Sequence, residues 1–448
     1  TDMADFIKRL QFGKQHGYET YFKGQNTQPV GKIGIILADM GMPEDYEFTF
    51  YRNYINHVFH YILPKFVQPM VLADRGICLI DPENPMAREP FQPKQLVDAF
   101  GSTANKAGKP YIECNVTWRG PGTPKNKWDH GYFLYMEEGK GGGSDICQKT
   151  GAKVRGWYYG HLLPEKKVAW AYQCEKIYTD AVDTLKQQYP EVEFRHARYV
   201  YSESLQQGVE DLLASGCQTI IYQSFCNPIY SDFEEYAYAL PCVHEATAGR
   251  ARVICADQLG NQPALREAFF EMLRDQMKGL PTGSSVLLTL SKRGHPFKKE
   301  TQDARAYLYR EPLEAGMRAI LSESGRKWDL VWSCDEYADE YYDKKGTKLE
   351  TQAAYRKAID EGYDYAIELP TEFLAENTDL MIFHAMKKFN AFDEYNRNNP
   401  VPYPDWEKPL VRTFRQGKTT GIYAGTPVGP YRKYVVQALV DSITQILK

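Results

Sequence analysis

The residues of this chain that could do chemistry gather at a few points. Ser291-Lys292-Arg293-Gly294-His295-Pro296 closes an apolar run, Ser285–Ser291, that reads as a buried strand. In open α/β sheets, ligands sit at the carboxyl ends of strands. A basic pair and a histidine at such an end suit an anion, because Arg293 offers a planar fork to a carboxylate. They also suit a metal, with His295 as its ligand. A solvated, capping turn is the competing account of the same residues. A second run, Tyr365–Pro370, leads into Thr371-Glu372-Phe373-Leu374-Ala375-Glu376-Asn377-Thr378-Asp379. Three carboxylates, Glu372, Glu376 and Asp379, therefore stand at another strand-to-helix junction. They could move protons, or hold a hard cation such as Mg2+ through oxygen alone. Capping again competes: Asn377 or Thr378 can close a helix start, and Asp379 is favourable in its first turn. His384 lies five residues beyond Asp379, shares no good helical face with it, and reads as a surface or core histidine.

The other constellations carry less. His244-Glu245 is a lone pair of potential ligands, and the pairs His57/His60 and Cys217/Cys226 are weaker still. The nine cysteines form no CxxC, so zinc ribbons and thioredoxin chemistry are excluded and free thiols in a reducing compartment are expected. GxSxG and GxxxxGK[ST] are absent. The glycines at 141–143 neither follow a strand nor open a helix, so they form no dinucleotide fingerprint.

The elements that must position these residues alternate. Strand-like runs at Lys32–Leu37, Gln218–Phe225, Arg252–Asp257, Ser285–Ser291, Asp329–Cys334 and Tyr365–Pro370 are separated by helical patterns. The helices are expected at Leu205–Ala214, Ala264–Met277, Ala304–Leu321, Leu349–Glu361 and Asn377–Phe389, with a last one at Tyr431–Leu447. Such alternation argues for parallel sheets in an α/β fold. With 448 residues, two or three domains are expected on a prior of about 150 residues each. The net charge of −4 excludes a bulk basic nucleic-acid binder and an acidic tail. No run approaches the ~18 apolar residues of a membrane span, and Thr1–Gln11 lacks a signal-peptide core. Aromatics reach 14%, with 33 Tyr, which reads as core filling or as the walls of a cleft for a flat apolar ligand. Residues 115–145 and the Tyr-rich stretch 336–348 read as long loops.

The order of these pieces resembles the ferrochelatase family, the enzymes that insert ferrous iron into porphyrins. Lys32–Pro43 resembles its opening strand and N-x-G-x-P turn, and Gly141–Ser144 followed by Lys149-Thr150 resembles its GGGSP segment. Asn227–Ser231 is similar to its P-x-Y-S turn, Trp332-Ser333 to its W-Q-S, and Gly425-Thr426-Pro427 with the final helix to its closing N-x-x-P and helix. The similarity runs from about 30 to 448 as a scaffold. It implies two similar Rossmann-like lobes with parallel sheets flanked by helices, and a C-terminal helix that crosses back. The expected divisions are an extension at 1–30, an N-terminal lobe at 31–250 with an insertion near 85–140, a C-terminal lobe at 251–425 and a closing helix at 426–448.

Both catalytic motifs depart from the family. S-A-H-G-L-P falls on Ser291–Pro296, which puts Arg293 at the essential histidine and His295 at an apolar position. F-x-S-D-H-x-E-T-L-x-E falls on Phe373–Phe383, which replaces its main Glu by Asp379, its His by Asn377 and its second Glu by Phe383. Metal insertion removes two pyrrole protons and needs a neutral base able to ligate, a task that suits His and not Arg, which stays protonated and repels a cation.

Two readings come from the resemblance. In the first, a lyase of the ferrochelatase type serves heme biosynthesis with a shifted site. His295 is base and metal ligand, Glu376 and Asp379 are its carboxylate partners, and Arg293 anchors a propionate. Ferrous iron or another divalent metal and a tetrapyrrole are then substrates, and Lys292, Met40, Tyr230 and Ser231 are ligand contacts. In the second, the scaffold carries a tetrapyrrole or acts on another anionic ligand without inserting metal, with Arg293 on a carboxylate or phosphate and Asp379 or His295 as acid and base. A two-lobed binding module is a third option. No nucleic-acid partner is expected and a cytoplasmic setting is. The resemblance leaves room for peripheral membrane contact and for a homo-oligomer.

Overall fold

The computed structural model describes residues 24–42, 44, 167–199, 202–225, 227–230, 235, 239–293, 305–335, 348–377, 379–395 and 401–448, with the backbone of 112–115 and 132–135. His295, Ser231, the 141–144 glycine segment and residues 336–347 lie outside these. In chain order the elements are β1 (Ile33–Asp39), β2 (Ile112–Asn115), β3 (Tyr132–Tyr135), α1 (Trp170–Gln188), β4 (Glu193–Arg198), α2 (Ser202–Ala214) and β5 (Thr219–Ser224). Then come α3 (Leu240–Thr247), β6 (Arg252–Cys255), α4 (Pro263–Lys278), β7 (Val286–Lys292), α5 (Tyr307–Glu323) and β8 (Trp328–Cys334). They are followed by α6 (Thr351–Asp360), β9 (Tyr365–Pro370), α7 (His384–Lys388), β10 (Arg412–Gln416), β11 (Thr419–Tyr423) and α8 (Arg432–Leu447).

Two α/β lobes result. The first holds a parallel sheet in the order β4-β1-β5-β6. The second holds β10-β11-β9-β7-β8, parallel except for the β10–β11 hairpin. In each lobe the first strand is central, the second pairs on one side and the third on the other. The lobes thus repeat one winding, and their central strands are buried: Ile35, Ile36 and Leu37 in β1, and Val286, Leu287 and Leu288 in β7, have no exposure. Near-continuous apolar strands are what a sheet covered on both faces requires.

The strand runs expected in β1 and β5 to β9 are present. Five strands are additional. β4 (EFRHAR) is mostly polar and lies at a sheet edge, with only Phe194 and Ala197 apolar, and β10 and β11 form a hairpin, so the second sheet is not wholly parallel. Tyr132–Tyr135 (YFLY), inside the stretch expected to be loop, is a strand paired antiparallel with Ile112–Asn115, and its aromatic run suits a strand. The expected boundary between the lobes falls after residue 250, but pairing of β6 with β5 carries the first sheet on to Cys255, and α4 leads into the second. The end of the extension also joins the fold. Gln25 uses its amide like a strand, accepting from Cys255 N at 2.6 Å and donating to Cys255 O at 2.9 Å.

α8 returns to the first lobe. It packs on α1 and α4, Arg432 Nε reaches Asp180 at 2.9 Å, and Ser442 Oγ donates to Gln223 Oε1 at 2.6 Å. The helix expected at 377–389 is broken into a π turn at Asp379–Phe383, α7 and a 3-10 turn at Phe389–Ala391. Arg412 explains the break: its guanidinium donates to Met381 O at 2.6 Å and Leu380 O at 3.5 Å, drawing those carbonyls out of the helical ladder. Many aromatics are core filling, as Tyr355, Phe389, Phe392, Phe414 and Tyr423 meet ring to ring in the second lobe. No helix among the described residues is long and apolar enough to cross a membrane. The described free cysteines, Cys174, Cys217, Cys242, Cys255 and Cys334, are all buried.

Candidate functional site

The winding of the second lobe sets where a ligand can enter. From β7 the chain leaves toward β8, and from β9 it leaves toward β11, on the opposite side. The carboxyl ends of β7 and β9 therefore flank a topological switch point, the place where open α/β sheets bind ligands. β7 delivers Lys292 and Arg293 there, both half-buried, and β9 delivers Thr371 and Glu372. Thr371 N donates to Ser291 O at 3.0 Å, which fixes the two strand ends together.

Next to this mouth lies a buried charge cluster. Glu368, on β9, has no exposure; its Oε1 accepts from Ser291 Oγ at 2.7 Å and from Lys388 Nζ at 2.6 Å, and its Oε2 from Tyr355 OH at 2.8 Å. Lys388 Nζ also stands 3.7 Å from Asp335 Oδ2 and 4.5 Å from the centre of the Tyr423 ring. His384 Nδ1 is 3.4 Å from the same Asp335 oxygen. Asp335 N donates to Lys292 O at 3.1 Å, which ties the cluster to the basic strand end. A narrow crevice at this point is lined by Cys334, Asp335, Glu350, Thr351, Gln352, His384 and Lys388.

The electrostatics follow from burial. Loss of water alone would raise the Asp335 carboxyl, but the charges of Lys388 and His384 outweigh it and hold the group below the usual carboxylate range. Burial pushes the Glu368 carboxyl up against the pull of Lys388, and the nearby Asp335 adds to the rise. Burial also raises the Cys334 thiol, which makes it a poor nucleophile.

The residues singled out from the sequence divide among several places. Glu372 is fully buried and ion-paired to Arg310 at 2.6 Å. Glu376 is fully buried elsewhere, accepting from Thr426 N at 2.8 Å and Tyr423 OH at 3.2 Å, while its own N–H donates to Gln173 Oε1 at 2.8 Å. Burial raises its carboxyl to about 6, against those hydrogen bonds. Asp379 opens the π turn, and Asn377 caps it by accepting Leu380 N at 2.9 Å. The expected oxygen-only set of Glu372, Glu376 and Asp379 is thus not assembled, while the set of Glu376 and Asp379 with His295 rests on a residue outside the described ones. Among the described residues no three of His, Cys, Asp and Glu converge as metal ligands. Tyr230, expected to touch a ligand, is buried, and its hydroxyl accepts from Gln223 Nε2 at 3.0 Å and Ser224 N at 3.1 Å from inside the first lobe. Met40 is half-buried against the first core.

Asp335, Glu368, His384 and Lys388 were not legible as a site. Two signals existed. A single Glu within the run Tyr365–Pro370 marks a charge that needs a buried partner, and His384 and Lys388 are four apart on one helix face.

No protein-family profile matches this chain, and no curated protein does. Among solved structures it is similar to SirB from Bacillus subtilis with Fe3+, at 10% identity over 61% of this chain and 89% of that one, with a TM-score of 0.38. It is also similar to LsrB from Clostridium saccharobutylicum in complex with AI-2, at 10% identity over 50% of this chain and 65% of that one, TM-score 0.25. A LacI family transcriptional regulator from Silicibacter pomeroyi is similar at 9% identity over 61% and 87%, TM-score 0.25.

Proposed function

We propose that this protein binds a small carboxylate-bearing molecule, of the tetrapyrrole class, at the carboxyl ends of β7 and β9. The observation that carries the reading is the cationic pair Lys292-Arg293 at the strand end where the chain's connections diverge. A guanidinium there can take a propionate through two parallel hydrogen bonds, and the chelatase-like order of motifs supports a flat tetrapyrrole as its bearer. Iron insertion asks more of the site. Glu372, Glu376 and Asp335 each already serve an internal partner, so a metal would have to displace Arg310, Thr426 and Tyr423, or Lys388 and His384. The reading therefore favours binding, or chemistry on the ligand's carboxylate side, over insertion.

Absorbance titration with a dicarboxylate porphyrin, followed by anaerobic ferrous iron, tests it. A saturable shift of the porphyrin band is expected, and Arg293→Leu should weaken it about tenfold or more, the loss of that charge-assisted pair. No shift, or equal binding by Arg293→Leu, overturns the proposal. Conversion to the metallated spectrum with turnover replaces binding alone by chelatase activity.

A further inference from the structure

His196 projects from β4 beside the carboxyl end of β1, and its ring meets one acid from β1 and one from α1. Nε2 lies 2.6 Å from Asp39 Oδ2, and Nδ1 lies 2.8 Å from Glu175 Oε2. A carboxylate oxygen only accepts, and a neutral imidazole has one N–H, so only the doubly protonated ring satisfies both acids. Asp39 is anchored as an acceptor on its far side. Its other oxygen accepts from Gly41 N at 2.6 Å and from Trp170 Nε1 at 3.1 Å. Tyr178 stacks on the ring at 4.6 Å and Phe225 stands tilted at 5.7 Å, which shields it from water.

The surrounding charges come from three elements. Asp39 faces the ring from β1, and Glu175 and Tyr178 face it from α1. On β4 itself, Arg195 is turned to Glu193 and Asp211, at 3.8 and 3.5 Å, and Arg198 stands opposite Asp39 in the strand register. The two acids differ in exposure: the Asp39 side chain is 2% exposed and that of Glu175 is 56%.

We infer that Asp39, His196 and Glu175 form a pH-sensitive latch that ties α1 to the carboxyl end of the first sheet, closed while the imidazole carries both protons. When one proton leaves, the ring keeps its N–H toward Asp39, because an unpaired buried carboxylate is the costlier loss. Nδ1 then presents a lone pair to the Glu175 carboxylate, and Glu175 turns to water. The bond between α1 and β4 opens while the bond between β4 and β1 stays. Burial favours the neutral ring, but the two carboxylates outweigh it and raise the imidazole above its ordinary value. The latch therefore contributes stability fully below about pH 6.5 and loses it as pH rises through the raised value.

The test uses the full chain and long-range 1H–15N spectra of the histidine rings, with His196 assigned through His196→Gln. Both ring nitrogens should be protonated at pH 6.5, with a titration midpoint above that of a free imidazole. Glu175→Gln, at an exposed side chain that the fold tolerates, should lower the midpoint by about one unit. Hydrogen exchange in residues 170–178, corrected for base catalysis, should quicken several-fold across the midpoint, while Gly41 keeps its protection. A single-N–H ring at pH 6.5, or an equal midpoint in Glu175→Gln, overturns the inference. So does exchange in 170–178 that ignores the titration.

Discussion

Lys388 stands between two buried acids of the second lobe. It neutralises Glu368, which has no exposure, and stands near Asp335 as well. Lys388→Met should destabilise the fold by about 3–5 kcal/mol, because it leaves a buried carboxylate without its cation. Adding Glu368→Gln should restore much of that loss, and urea unfolding of the pair of variants checks it. Glu376 behaves in the opposite sense. Burial raises it to about 6 from an unfolded value of 4.5, so the folded state prefers its protonated form. Its contribution is present below pH 4.5 and is lost as pH rises through about 6. At pH 7 the ionised group costs on the order of 2 kcal/mol, a shift of 1.5 at 1.36 kcal/mol per unit. Glu376→Gln should therefore be the more stable protein at pH 7 and the less pH-dependent one, by melting curves from pH 4 to 8. The sequence shows both acids plainly and hides their fates. Glu368 lies inside an apolar run and finds Lys388 twenty residues on, across a π turn that no local pattern announces.

At the scale of elements, the same limit has a physical cause. β1, β5, β7 and β9 are legible because strands covered on both faces must be largely apolar, and β6 and β8, though at sheet edges, still carry short apolar runs. β4 (EFRHAR) and β10 (RTFRQ) sit at sheet edges and contain no apolar run at all, so nothing in their composition marks a strand. The π turn is a tertiary effect, set by Arg412 of β10 reaching back to Leu380 and Met381 carbonyls. Propensity favours a continuous helix there, and a buried guanidinium overrides it. Arg412→Met should lower stability by about 1.5–3 kcal/mol, the range for hydrogen bonds to a charged group. Chemical denaturation measures the loss, and exchange at 380–384 should slow if the turn relaxes to α-helix. Unchanged stability would mean that Asp379–Phe383 forms the π turn by itself. Gly41 marks another such constraint: its φ is +97°, and a Cβ would lie 2.5 Å from Arg198 Cβ, so the turn after β1 admits no side chain there.

Across the whole molecule, the C-terminal helix α8 joins the two lobes. It lies on α1 and α4, and Val435, Leu439 and Ile443 are fully buried. Each such side chain is worth about 1.5–3 kcal/mol on burial. Three together approach the about 5–15 kcal/mol that holds an ordinary domain. Arg432 adds a bridge from Asp180 of α1 to Glu407 ahead of β10, at 2.9 and 2.6 Å, and Gln173 of α1 donates to Tyr403 OH at 2.7 Å. Glu376 leans on the same seam through Gln173 and Thr426. The first lobe is thus completed by residues from the far end of the chain, and the two should unfold as one unit. Leu439→Asp tests this, since a charge forced between α1 and α4 must either open the seam or stay buried. One cooperative transition at a much lower temperature is expected, with exchange protection lost together in α1, α4 and β9. If protection fell only in 432–448 and the rest melted unchanged, α8 would be an appendage and the lobes independent. The switch-point mouth between β7 and β9 would then owe nothing to the seam.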